Sequence, residues 1–256
     1  MATTAADIIR AESMIASSWP ALNICLSGRW LLGMADGVSG RANSLFFLDH
    51  TDDADYQRRI DWMETTYRHA GLPPRARLSP LAPVAVIKEL QNRGYKFQNP
   101  TLTLKHQLTD LAAISAPTMA DFNITTSPAP TQKWLDTFIK GNPRYQNSRP
   151  MIEKMLDAIM DKTTYALGLY KGTPVTTAMT VEHIGTLTIQ NVATQPDYTR
   201  RGFAKATMAV LMAKAADESA NWCWLAVEQS NEPAINLYRN LGFQDFYSYI
   251  YASLET

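Results

Sequence analysis

A chain of 256 residues is long enough for two domains of ~130 residues or one large one. Its 46% hydrophobic and 19% charged content suits a soluble globular protein with a full core. Twenty-four Lys and Arg balance twenty-four Asp and Glu, so the positive surplus that a general nucleic-acid binder needs is missing.

The opening "MATTAADIIRAESMIASSWP" reads as an amphipathic helix, not a cationic start followed by the apolar run of a signal peptide. "GRWLLGMADGVSGRANSLFFLD" then supplies antiparallel strands around an exposed turn, "GVSGRANS". Helix "DYQRRIDWMETTYRHAG", strand "RARLSP", helix "VIKELQNRGYKF" and strand "TLTLKHQL" follow. A join is placed in "LTDLAAISAPTMAD", around Ala116–Pro117, which divides the chain into domains 1–116 and 117–256. Beyond it come two amphipathic helices, "TQKWLDTFIK" and "RPMIEKMLDAIM". Strands "TTYALGLY", "VTTAMTVE" and "TLTIQNVAT" make two successive antiparallel hairpins. "QPDYT" breaks the last of these, and a helix runs from Phe203 to about Ala216. Strand "NWCWLAVE", helix "NEPAINLYRNLG" with glycine at its end, and the strand region "FQDFYSYIYASL" complete an α/β (α+β) chain with mixed, mostly antiparallel sheets. No run reaches the roughly 18 apolar residues of a bilayer span. Cys25 and Cys223 are read as two buried thiols, too few for a zinc site. The chain is therefore expected to be cytoplasmic, with no metal, membrane or nucleic-acid partner.

The halves echo each other. "VIKELQNRGYKF" can be laid on "AINLYRNLGFQDF", matching Ile87 to Ile235, Gly94 to Gly242 and Tyr95 to Phe243. Both halves also follow a helix–strand–helix–strand order, which reads as a diverged duplication.

"TRRGFAKATMAVL", Thr199 to Leu211, follows a strand and opens a helix. The first N–H groups of a helix lack internal partners and favour an anion. Gly202 lets the backbone approach a phosphate, Ala204 and Ala206 keep the approach clear, and Arg200, Arg201 and Lys205 add positive charge. Alone, the stretch reads first as a solvated basic helix start. Downstream, "SNEPAINLYRNLGF" places Ala234, Ile235, Tyr238 and Leu241 on one helical face. That leaves Tyr238 an ordinary core tyrosine and Asn231 a helix cap when read in isolation.

The ordered combination of strand, basic glycine turn, helix, strand and "NxxAxxLYxxxGF" resembles the GNAT superfamily of N-acetyltransferases, over about Ala120 to Thr256. The family's phosphate signature, Gln/Arg-x-x-Gly-x-Gly/Ala, is met by Thr199-Arg200-Arg201-Gly202-Phe203-Ala204 except at Thr199. The resemblance implies a splayed strand pair holding acetyl-CoA as co-substrate. It places Val192, Ala193 and Thr194 along the pantetheine arm, residues Thr199 to Lys205 on the diphosphate, Asn231 in contact with the cofactor and Tyr238 near its sulfur. Direct attack by a primary amine would need oxyanion support, which a backbone N–H near Val192 could give, and an acid for the leaving thiolate, Tyr238. Glu182, His183 and Glu228 are candidate bases with ordinary strand-end readings, and the base stays unassigned.

The repeat sets Leu90 opposite Tyr238, and "FFLDHTDDADYQRRID" offers Asp52, Asp53 and Asp55 where the second half has its basic turn. Carboxylates there would repel a diphosphate. The chain therefore resembles tandem GNAT proteins with a degenerate N-terminal half. Arg41 and Asn43 have ordinary loop roles or contact the acceptor, and "HTDDAD" is a solvated turn or attracts a cationic amine. The acceptor is a small-molecule or peptide amine, and the molecule is a monomer or homodimer. The alternative function is a coenzyme A-binding sensor or interaction protein without turnover.

Overall fold

The computed structural model describes residues 3–108, 119–218 and 220–255. The Ala116–Pro117 join lies outside them. In the first half, α1 (Ala5–Ser18) begins with a reciprocal Thr4–Asp7 capping box and leads into β1 (Asn23–Ser27), β2 (Trp30–Met34) and β3 (Leu45–Phe47). The chain continues through α2 (Tyr56–His69), β4 (Arg75–Leu78), α3 (Val84–Asn92) and β5 (Lys96–Gln107). The second half comprises β6 (Phe122–Ser127), α4 (Gln132–Gly141), α5 (Arg149–Asp157), β7 (Lys162–Tyr170), β8 (Thr173–His183) and β9 (Thr186–Thr194). It closes with α6 (Phe203–Asp217), β10 (Trp222–Glu228), α7 (Glu232–Arg239) and β11 (Gln244–Ser253).

All eleven strands among the described residues belong to one sheet, ordered β1-β2-β3-β4-β11-β5-β10-β9-β8-β7-β6. Its pairs are antiparallel except β3–β4 and β9–β10, each bridged by the helix of a strand–helix–strand unit. The sequence suggests two separate sheets. Instead, the final strand of each half has crossed over. β5 pairs with β10 from Gln107↔Trp222 to Thr101↔Glu228, and β11 pairs with β4 from Leu78↔Ile250 to Arg75↔Ser253. The cores follow the exchange. Tyr247, Tyr249 and Tyr251 of β11 are buried among Trp30, Phe47, Tyr67 and Leu90, while Leu104 of β5 is buried with Met208, Leu225 and Tyr238. A third cluster joins Trp134, Phe138 and Tyr165 to Trp19, Ala35 and Ala42 of the first half.

The repeat is visible in hydrogen bonds. At the ends of α3 and α7, Gly94 and Gly242 take left-handed φ of 80° and 87°. Tyr95 N–H then donates to the Leu90 carbonyl at 3.0 Å, and Phe243 N–H to the Tyr238 carbonyl at 3.1 Å. Helix termination by a left-handed glycine is the same device in both halves.

A fully buried ion pair lies at the crossing of β11. Arg77, fully buried on β4, gives a forked pair of hydrogen bonds to Glu12 of α1 at 2.8 and 2.7 Å, and Tyr247 donates to the same carboxylate. Arg77 also stacks 3.2 Å from the centre of the Tyr249 ring. Cys223 is buried, but Cys25 is only half-buried, because β1 is an edge strand. Both cysteines are free thiols. No described helix is long and apolar enough to cross a membrane.

Candidate active site

β9 and β10 run parallel only from Thr186↔Trp222 to Thr188↔Trp224. Beyond that point β10 stays paired with β5, and β9 with β8, so the two strands part and leave a wedge between them. A bulge lies on the β9 arm. Thr177 pairs with Ala193 but Met179 pairs with Gln190, and Asn191 takes a φ of 53°. One extra residue there turns the strand and re-aims Val192. Gln195 N–H donates to the Val175 carbonyl at 2.9 Å. By the alternation of an antiparallel ladder, Thr194 then presents its N–H and C=O to the opposite edge, where β10 has departed. Val192 and Thr194 are half-buried and Ala193 is buried. The end of α4 lies against this arm. A Cβ on Gly141 would stand 2.9 Å from that of Ala193 and 3.3 Å from the Thr194 N and O atoms.

The chain then passes through a short turn, Pro196–Tyr198, to Thr199, whose hydroxyl donates to the Pro196 carbonyl at 3.1 Å. Arg200 (φ 58°) and Gly202 (φ 85°) are both left-handed. Gly202 is the N-cap of α6, and no side chain caps that helix. An added Cβ at Gly202 meets nothing nearer than Met119 at 3.9 Å. The turn therefore presents uncapped helix N–H groups to open space, as an anion cradle requires. Arg201 is the most constrained of its cations, lying 4.5 Å from the Tyr170 ring centre and 5.0 Å from that of Phe203. Arg200 is exposed, Ala204 and Lys205 are half-buried, and Phe203 is buried beneath the turn against Phe122.

On the other arm, β10 and α7 border a cavity of about 440 Å³ between the halves. Asn231 accepts from Ala234 N–H at 3.2 Å, so it is a helix cap that also lines this cavity. Tyr238 lines it too. Its ring is buried in the second-half core. Burial pushes the phenol pKa up to about 12, opposed by the charge of Arg41.

The structure separates the three candidate bases. Glu182 lies 3.2 Å from Lys162, and His183 Nδ1 lies 2.8 Å from Asp161; both sit where β8 and β9 meet, away from the wedge. Glu228 lines the cavity with Tyr238 and is its one carboxylate among the described residues. Asn43 is a loop staple, accepting from Ala35 and Gly37 N–H at 2.7 and 3.0 Å. Arg41, by contrast, lines the cavity. The acidic turn does not. Asp52 accepts from Arg59 at 2.9 and 3.0 Å and from Arg29 N–H at 2.6 Å. Sequence reading passed over Arg75, Arg144, Tyr249 and Tyr251, which also line the cavity. They come from three separate segments, β4, the turn after α4 and β11, and only the two tyrosines share a strand spacing.

A family model described as "Probable histone acetyltransferase Rv0428c C-terminal" matches residues 5–252. The chain is 26% identical over 245 residues to an uncharacterized N-acetyltransferase, YobR, of Bacillus subtilis, covering 93% of this chain and 94% of that one. Among solved structures, it resembles a GCN5-related N-acetyltransferase from Kribbella flavida, with a TM-score of 0.71 and 14% identity over 100% of this chain and 97% of the other. It also resembles a tandem GNAT protein from the clavulanic acid biosynthesis pathway, with a TM-score of 0.68 and 11% identity over 95% and 87% of the two chains. The family match spans nearly the whole chain and agrees with the parted strands and the glycine turn. The chain belongs to the Rv0428c C-terminal acetyltransferase family and is a GNAT-type N-acetyltransferase.

Proposed function

We propose that the protein transfers an acetyl group directly from acetyl-CoA to a primary amine, using the second half, 117–256, while the first half, 1–116, binds no cofactor and walls the acceptor site. The observation that carries this reading is the wedge between β9 and β10, with the open left-handed Gly202 turn after one arm and the Tyr238 hydroxyl beside the other. Val192, Ala193 and Thr194 would align the pantetheine arm. Thr199, Arg200, Arg201, Gly202, Phe203, Ala204 and Lys205 would hold the diphosphate, chiefly through backbone N–H groups.

In the reaction the amine nitrogen bonds to the thioester carbonyl carbon and the carbon–sulfur bond breaks. Val192 N–H is the proposed donor to the oxygen that gains negative charge. Glu228, alone or through water, accepts the amine proton, and the Tyr238 hydroxyl gives a proton to the departing thiolate. A phenol with a pKa of about 12 is a reluctant acid, so Tyr238 acts mainly as a hydrogen-bond donor that completes its transfer late.

Calorimetric titration of acetyl-CoA into wild type and Gly202→Asp tests the reading. A carboxylate in the cradle should weaken binding by at least about 30-fold, that is, about 2 kcal/mol. Unchanged affinity in a folded variant removes the cradle, and no binding by wild type removes the transferase chemistry. Tight binding with no turnover of any amine leaves the sensor.

A further inference from the structure

Resting on the acetyl-transfer reading, we infer that the acceptor is a small amine that also carries an oxyanion, a carboxylate or phosphate, held by the arginines of the cavity between the halves. Arg41 enters from the β2–β3 loop, Arg75 from β4 and Arg144 from the turn after α4, against the single carboxylate of Glu228. Elsewhere in the molecule, sheltered arginines have carboxylate partners. Arg59 is paired with Asp52, Arg77 with Glu12, and Arg93 with Asp61, Glu64 and Glu89. Arg41 and Arg75 have none among the described residues, although both are half-buried.

They are held instead by neutral atoms. Arg41 Nη1 donates to Gln190 Oε1 at 2.6 Å, and Arg75 Nε donates to Ser253 Oγ at 3.0 Å. These bonds fix each guanidinium and leave its other N–H donors without a partner among the described residues. Arg144 lies 3.5 Å from Glu228, in a pair exposed enough for a ligand to rearrange. A sheltered cation without a counter-ion is costly, and a planar guanidinium fork matches a carboxylate or phosphate edge. A neutral amine would leave that charge unanswered. A lysine-rich peptide would add like charge to it.

Position narrows the class further. Gln190, which holds Arg41, immediately precedes the bulge at Asn191, and the Arg41 charge is felt at the Tyr238 hydroxyl. The anion therefore binds close to the point of transfer, with Glu228 in the same cavity for the amine. A volume of about 440 Å³ suits a small molecule whose two charged groups are a few bonds apart.

The test pairs each common amino acid with its carboxamide, and O-phosphoethanolamine with ethanolamine. It reads kcat/KM with acetyl-CoA, and calorimetric affinity for the CoA-bound protein where turnover is absent. At least one anionic member should exceed its neutral partner by 10-fold or more, and the pair that does so tells carboxylate from phosphate. Arg41→Gln and Arg75→Gln, made singly so that one folding failure does not decide the matter, should each raise the KM of that member at least 10-fold while the acetyl-CoA Kd stays within twofold. Neutral partners that equal or surpass the anionic ones in every pair overturn the inference. Variants that lose acetyl-CoA affinity and keep acceptor KM also overturn it, because the arginines then serve the cofactor. If wild type fails to bind acetyl-CoA, the transferase reading falls by itself. Titration of the same anions into the free protein then decides the anion site: binding lost in Arg41→Gln sustains it, and no binding overturns it.

Discussion

Between β3 and α2 the chain carries Asp49, Asp52, Asp53 and Asp55; between β9 and α6 it carries Arg200, Arg201 and Gly202. Both segments end in a left-handed N-cap without a side-chain cap, Asp55 at φ 52° and Gly202 at φ 85°. The parallel pairs that flank them are β3–β4 and β9–β10. In the second half the turn is open and basic. In the first, Asp52 supplies an internal anion, gripped by Arg59, which itself lies 4.0 Å over the Trp30 ring. The first half ties the acid of its turn to an arginine of the following helix, where the second leaves its basic turn open. The fold tolerates both, because the surrounding helix and strands are held by cores that do not depend on what enters the turn.

The crossing of β11 gives the largest expected effect. Removing Glu12 leaves the fully buried Arg77 charge unpaired, so Glu12→Ala should cost about 3–5 kcal/mol and lower the melting temperature by roughly 10 °C. Because Tyr247 of the second half shares that carboxylate, both halves should melt together in calorimetry. A lower-melting first half beside an unshifted second half would mean that the exchanged strands do not couple them.

Tyr238 and its counterpart Leu90 sharpen the comparison through kinetics. Tyr238→Phe should lower kcat by about 10²-fold with little change in acetyl-CoA affinity. A phenol pKa of about 12 keeps the proton in place through pH 10, so this residue should add no alkaline fall to the wild-type profile below that pH. The variant should lie lower at every pH with the same shape. A wild-type alkaline limb that vanishes in Tyr238→Phe would show a much more acidic phenol and a different role.

Asp52 gives the next step down. Its hydrogen bonds to Arg59 hold its carboxyl below the usual value of 3.8. A depressed carboxyl stabilises the fold above that value and loses the contribution as pH falls through its lowered pKa. Asp52→Asn should cost about 1–2 kcal/mol at pH 7 and flatten the decline in melting temperature as the pH falls below about 5. An equally steep decline in the variant would assign acid sensitivity to other carboxylates.

The elements were largely legible because strand alternation and helical periodicity are local signals; β9 and the start of α6 stand where "TLTIQNVAT" and Phe203 put them. Strand exchange was not legible. Whether β10 lies beside β5 or β11 depends on contacts across more than a hundred residues, and both strands alternate alike. In the site, Gly202 and Tyr238 could be found because a turn and a helical face surround them. Arg41 was a candidate from its loop, but Arg75 and Arg144 could not be found, since a strand and a short turn bring them beside it only after the halves have packed. The parting of β9 and β10 was inferable only from resemblance. It depends on where pairing stops, and no residue in either strand forbids pairing.

The matched glycines separate local repeat from exchanged neighbour. Gly94 and Gly242 terminate equivalent helices at φ 80° and 87°, so an alanine at either position suffers the left-handed penalty of about 1 kcal/mol. At Gly94 nothing lies within 4 Å of the new Cβ. At Gly242 it would meet His106 Cε1 at 2.8 Å, and that ring is held by its Nδ1, 3.0 Å from the Gly242 carbonyl oxygen. His106 belongs to β5, the strand that crossed from the first half. Gly94→Ala should therefore cost about 1 kcal/mol and Gly242→Ala about 2–3 kcal/mol, measured by denaturant unfolding. The excess at Gly242 is the contact made by exchange, because the turn itself is common to both halves. Equal losses at the two positions would mean that His106 yields freely and that β5 sits loosely against the second half's last turn.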